Sequence, residues 1–229
     1  MVADTALTEL PIGPEELGPL ALHADLAGTG RWQRFTYSGP AGSRRFFVYT
    51  PAGYTLDQSV PMVVMLHGCT QTPADSAAGT EWNPLADRQT FVVVYPEQTL
   101  GDNLLSCWNW FLPEHQARGS GEAGILAGIT QQVLTSDTRW NIDPGRVYVC
   151  GISAGAAMAV ILGATHPDLY AAVGYPRRSG VPGGDRPEHR PERDGQRRPR
   201  SHPAGHCRVH RHGRSRPAGA HHRLARHRR

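Results

Sequence analysis

Apolar residues along this chain fall into two kinds of run, and the difference between them predicts the architecture. Trp32 to Tyr37 and Arg44 to Thr50 mix aromatic and β-branched residues on either side of Ser38-Gly39-Pro40-Ala41-Gly42-Ser43. That pattern predicts two antiparallel strands around a turn. Met62 to Leu66, entered through Pro61, and Phe91 to Tyr95 show no polar alternation. Such runs suit parallel strands covered on both faces. Asp75 to Gln89 predicts a helix broken near Asn83-Pro84, and Glu122 to Asp137 carries Ile125, Ile129 and Val133 at helical spacing. Val147 to Cys150 predicts another strand, followed by the helical run Ala156 to Leu162 and a further strand starting at Ala171 to Gly174. Strands alternating with helices imply an α/β fold with a mostly parallel sheet, flanking helices and right-handed crossovers. No internal repeat is evident.

The pattern stops at Gly174. Before it stand 8 Arg against 16 Asp plus Glu; after it stand 16 Arg against 4 acids, with one Leu and no Ile, Met, Phe or Trp. The overall formal charge of +4 therefore describes neither part. A segment so poor in apolar side chains cannot offset its ordering entropy by burial, so residues 175–229 are expected to be a disordered basic tail. Residues 1–29 form an acidic N-terminal extension without the basic start and sustained apolar core of a secretory leader. The longest apolar stretch, around Ala156 to Ala164, is too short to span a membrane. The four Cys leave the redox compartment open, and 24 Arg with no Lys indicate a GC-rich coding sequence.

Gly151-Ile152-Ser153-Ala154-Gly155 lies between the strand at Val147 to Cys150 and the small-residue helix. A G-x-S-x-G there reads as a nucleophile elbow, in which two glycines let the chain turn sharply and leave the serine hydroxyl at the tip. The alternative is a serine that merely caps a core helix. A serine nucleophile needs backbone donors for the tetrahedral oxyanion, supplied by the residue after it and by a loop after an early strand. His67-Gly68-Cys69-Thr70-Gln71 sits where that loop belongs, which assigns the donors to the N–H groups of Ala154 and Cys69. His67 precedes the nucleophile; a structural role, its ring holding the loop, is expected of it rather than that of catalytic base.

His67-Gly68-Cys69-Thr70-Gln71, Ala86-Asp87, Val94-Tyr95-Pro96-Glu97-Gln98, Cys107-Trp108-Asn109-Trp110-Phe111, Gly121-Glu122, Asp143-Pro144-Gly145-Arg146-Val147-Tyr148-Val149 and the elbow together resemble the polyhydroxybutyrate depolymerase family of esterases. That family also contains relatives of acetylxylan and feruloyl esterases, and the resemblance covers residues 30–174. It implies an α/β-hydrolase fold, here incomplete on its C-terminal side. It further implies Ser153 as nucleophile, an Asp and a His later in the chain, and an extracellular ester or polyester substrate, without cofactor or metal. It suggests that Cys69 and Cys107 lie close enough for a disulfide, two buried thiols being the alternative. Trp108 and Trp110 either line a groove for a polyester or sugar chain or pack in the core. Glu122 is read as a loop-anchoring carboxylate, not a catalytic one.

The triad order of this fold is Ser, acid, His, so both partners belong after Ser153. His166 and Asp168 fall at the far end of the serine's own helix, which leaves Asp185, Asp194 and the eight tail His. Nothing around these resembles a strand end. Read one nucleotide later, the codons of Tyr175 to Asp194 permit Ile-His-Ala-Gly-Ala-Ala-Tyr-Gln-Ala-Ala-Thr-Asp-Leu-Asn-Thr-Ala-Leu, and those of Val209 to Arg214 permit Phe-Ile-Gly-Thr-Ala-Asp. Both resemble what the family carries there. A frameshift near Gly174 is therefore expected, with the triad His beyond this chain and little esterase activity in it. The rival reading is a tail that binds nucleic acid or an anionic surface; it lacks aromatic residues for base stacking beyond Tyr175. No nucleic-acid or membrane partner is expected, and the sequence leaves oligomeric state and the choice among polyester, acetylated xylan and feruloylated sugar open.

Overall fold

The computed structural model describes residues 7–175 and 208–211. Two short helices, α1 (Pro14–Leu22) and α2 (Ala24–Ala27), precede the hairpin β1 (Arg31–Gly39) and β2 (Gly42–Thr50). Then come β3 (Val60–Leu66), α3 (Pro73–Thr80), α4 (Trp82–Gln89), β4 (Val92–Pro96), α5 (Gly121–Leu134), β5 (Ile142–Gly151), α6 (Ala154–Thr165), β6 (Ala172–Tyr175) and β7 (Arg208–Arg211). One sheet holds the strands in the order β1-β2-β4-β3-β5-β6-β7. β4, β3, β5 and β6 run parallel, while β1, β2 and β7 pair antiparallel.

The lack of polar alternation in β3 has its cause in two cores. Met62, Val64 and Leu66 join Phe35, Phe46, Leu126, Ile129, Met158 and Leu162 in a cluster under α5 and α6. Val63 and Met65 face the other way, among Phe47, Tyr49, Phe91, Val93 and Tyr95 under α1, α3 and α4. A strand whose successive side chains enter opposite cores has no solvent face to mark with polar residues.

Two boundaries differ from the expectation. The helix over 75–89 is two helices, and the break comes at Glu81, in the left-handed region at φ 55°, rather than at Asn83-Pro84. Pro84 sits in the first turn of α4, where its missing N–H removes no intrahelical bond. The hairpin turn is shorter than Ser38 to Ser43, because Ser38 pairs with Ser43 and Gly39 with Gly42. The hydroxyls of Ser38 and Ser43 stand 3.0 Å apart across the hairpin.

Most of the expected disordered tail lies outside the described residues, as do Asp185, Asp194, His202 and His206. Tyr175, which ends β6, and Arg208–Arg211 are the exceptions: the latter pairs antiparallel with β6, Val173 opposite His210. The β6 edge is thus covered along its length by backbone bonds. β7 runs against β6, whereas a helical crossover would bring a parallel strand.

Candidate active site

Parallel β3, β4 and β5 end together, so Leu66, Pro96 and Gly151 deliver three loops to one rim of the sheet. Ser153 stands there at φ 54° and ψ −119°, a conformation that non-glycine residues adopt only under constraint. The constraint is visible on both sides of it. A Cβ on Gly151 would lie 2.3 Å from the Gly155 carbonyl group, and one on Gly155 would lie 2.3 Å from the Leu66 carbonyl oxygen. The start of α6 therefore rests directly on the end of β3, and the serine is forced outward at the helix N-terminus. The capping alternative does not describe it, since the Ser153 side chain makes no cap hydrogen bond.

The loop after β3 lies against this serine: a Cβ on Gly68 would be 3.5 Å from Ser153 Cβ. Its backbone groups are engaged one after another. The His67 carbonyl accepts from Trp108 Nε1 at 3.0 Å, and the Gly68 amide donates to Gln71 Oε1 at 2.7 Å. The Gly68 carbonyl takes His67 Nδ1 at 2.7 Å and the Gln71 amide at 3.3 Å. The Cys69 carbonyl accepts from Thr70 Oγ1 at 2.6 Å, and the Thr70 amide donates to the Leu105 carbonyl at 2.7 Å. Among the described bonds, the Cys69 N–H has no acceptor. The same holds for Ala154, whereas Gly155 and Ala156 bond back to Ile152 and Ser153. The amides named as oxyanion donors are thus both unengaged among the described bonds, as is the Ser153 N–H between them.

His67 is fully buried and both ring nitrogens are engaged. The Gly68 carbonyl can only accept and the Gln98 amide, 3.0 Å from Nε2, can only donate. The tautomer is therefore Nδ1–H with Nε2 as acceptor. Burial holds the ring's pKa below the ordinary histidine value, so it is neutral. This arrangement matches a ring that holds the loop.

Glu122, at the N-terminus of α5, is 1% exposed and accepts from Gln98 Nε2 at 2.7 Å, the Asn109 amide at 2.7 Å and Asn109 Nδ2 at 2.8 Å. Gln98 Nε2 also donates to the Cys107 carbonyl at 2.9 Å, and its Oε1 accepts from the Arg44 guanidinium, which pairs with Asp102 at 2.6 Å. A disulfide joins Cys69 to Cys107 with Cα atoms 4.2 Å apart. Sequence reasoning gave Gln98 no role, although it stands in a quoted motif at a strand end. Its partners His67 and Glu122 lie 31 and 24 residues away, beyond the reach of any local pattern.

Of the two tryptophans offered for a groove, Trp108 is core: it is 0% exposed, its ring 5.3 Å from His67, because its indole N–H serves the loop carbonyl. Trp110 is 42% exposed, edge-on to exposed Phe111. Exposed Leu104 and Leu105 help line a cavity of about 530 Å³ that reaches Thr70 and Gln71. His166 and Asp168 lie past the C-terminal end of α6, about 18 Å of helix from Ser153. There Asp168 is held by Arg118 at 2.6 and 2.8 Å, and that guanidinium keeps its pKa down at about 2. Among the described residues no histidine or carboxylate bonds to Ser153. None of them forms a cluster of three or more His, Cys, Asp or Glu fit for a metal, and no helix among them is long and apolar enough to cross a membrane.

A mixed sheet with parallel centre, a serine on a strained strand-to-helix elbow and a facing backbone loop define an α/β-hydrolase. The fold is shared with the acetyl xylan esterase from Aspergillus awamori at a TM-score of 0.55 and 25% identity, over 63% of this chain and 50% of that one. The chain belongs to the esterase PHB depolymerase family, whose profile matches residues 44–219 and so runs past the compositional break at Gly174. It is 44% identical over 132 residues to the poly(3-hydroxyalkanoate) depolymerase C of Paucimonas lemoignei, covering 58% of this chain and 30% of that protein. It is 32% identical over 165 residues to the poly(3-hydroxybutyrate) depolymerase of Ralstonia pickettii, covering 67% and 33%. The chain thus spans about a third of the length of these two relatives.

Proposed function

We propose that this chain carries the nucleophile side of a serine ester hydrolase, acting on short-chain acyl or polyhydroxyalkanoate esters through an acyl-enzyme on Ser153. The observation that carries the reading is the strained Ser153 beside the unengaged amides of Cys69 and Ala154. In acylation the Ser153 oxygen attacks the ester carbonyl, the carbonyl oxygen becomes the oxyanion between the two N–H groups, and the alcohol leaves. The hydroxyl proton must pass to a base, and no described residue is placed to take it. The 229-residue chain is therefore expected to turn over esters weakly, through oxyanion stabilisation alone. The likeness to the two depolymerases supports a polyester substrate. So do Leu104 and Leu105, exposed in the cavity that reaches Thr70 and Gln71, since a polyester backbone carries no hydroxyls to satisfy. The Cys69–Cys107 bridge supports an extracellular location.

The test compares this chain with a frame-restored one on p-nitrophenyl butyrate, poly(3-hydroxybutyrate) film and acetylated xylan. Restored turnover that Ser153→Ala removes is the expected result. Equal turnover by the two chains would refute the frameshift account, and preference for xylan would replace the substrate assignment.

A further inference from the structure

The Gly68 carbonyl and the Cys69 N–H belong to one peptide group. No cis peptide occurs among the described residues, so the two point in opposite directions. Whatever fixes the carbonyl also aims the N–H, and a hydrogen bond to the carbonyl polarises the group into a better donor. The carbonyl is fixed by His67 Nδ1–H, and that proton sits on Nδ1 because Nε2 accepts from the Gln98 amide. Gln98 is in turn immobilised by its side chain. Its two N–H groups reach Glu122 and the Cys107 carbonyl, and its oxygen faces Arg44, so a flipped amide would set NH₂ against guanidinium.

We propose, resting on the esterase reading above, that Glu122 is a positioning residue: through Gln98 and the His67 tautomer it aims the Cys69 N–H at the oxyanion. Only an acceptor fits its place. Three N–H donors converge on its two oxygens, and a glutamine would turn an NH₂ toward at least one of them. The same carboxylate also anchors the loop through Asn109, as the sequence reading expected of it, so one buried acceptor ties that loop and the Gln98 side chain together.

The experiment uses the full 229-residue chain with ¹⁵N-labelled histidine, the His67 signals assigned by their loss in His67→Asn. The unsubstituted chain should show Nδ1 protonated and Nε2 bare. Glu122→Gln should mix the two tautomers and lower the kcat of residual p-nitrophenyl butyrate hydrolysis about tenfold with KM within twofold, part of the ~10²-fold lost when an oxyanion donor is removed. If Glu122→Gln does not fold, Gln98→Met tests the same link, since it cuts the amide tie and keeps the backbone N–H. A folded variant whose His67 signals stay as in the unsubstituted chain overturns the inference. The tautomer signal does not depend on turnover, so absence of Ser153 acylation in a frame-restored protein would overturn the esterase reading alone.

Discussion

Two carboxylates gather hydrogen bonds at opposite ends of the sheet, and they serve different ends. Asp87, on α4, accepts from the Thr29 amide at 2.6 Å, Thr29 Oγ1 at 3.0 Å, Tyr49 Oη at 2.7 Å and the Ala52 amide at 3.2 Å. Burial pushes its pKa up, but these donors outweigh that and hold it below the ordinary carboxylate value. Every bond in that cluster closes on the segment entering β1 and the end of β2, so its product is stability. The Glu122 cluster is equally well bonded, yet its chain of contacts terminates on a peptide group with a donor left over. Gathering donors on a carboxylate is the same physical act in both places, half-buried at Asp87 and fully buried at Glu122; whether it holds the fold or prepares a site depends on what remains unengaged at the far end.

The comparison is most sharply tested at the serine. Ser153→Ala in a frame-restored protein should lower ester turnover by about 10⁴-fold or more, with folding stability within about 1 kcal/mol, as urea titration and p-nitrophenyl butyrate assays would read. Removing both Cys69 and Cys107 by serine should cost about 4 kcal/mol, since the bridge closes a 38-residue separation, measured as a lower urea midpoint. Asp87→Asn should cost about 2 kcal/mol of stability and leave turnover unchanged, while Glu122→Gln should cost about as much and reduce kcat as well. A fall in kcat in Asp87→Asn would erase the distinction between the two ends.

The smallest effect concerns pH. His67 has its folded pKa depressed by burial, so on acidification the unfolded chain takes up its proton first. Stability from this group is whole above the ordinary histidine pKa near 6.5 and is lost as pH falls below it toward the depressed folded value. The slope should approach but not exceed about 1.4 kcal/mol per pH unit, and His67→Asn should flatten it.

Much of the fold was legible because its signals are local. The hairpin, the unalternating runs at Met62 to Leu66 and Phe91 to Tyr95, and the glycines around Ser153 each write their cause within a few residues. The candidate site was legible only as far as its backbone: the proposed Cys69 and Ala154 donors follow from an elbow and a preceding loop. The groups that aim them do not. Trp108 reads equally as groove or core until His67 is seen beside it, and Gln98 acquires meaning only when strand order brings α5 and the β3 loop together. The break at Glu81 was misplaced by two residues because Pro84 marks a helix start as readily as an end.

The glycines on either side of Ser153 carry a lesson about what a motif records. At positions 151 and 155 even one added carbon would collide with backbone that cannot move aside. Those letters are therefore held in place by the distance between a helix start and a strand end, whatever chemistry the residue between them performs. A lineage that lost its activity while keeping its sheet would go on spelling the same glycines, and only the middle letter would be free to drift.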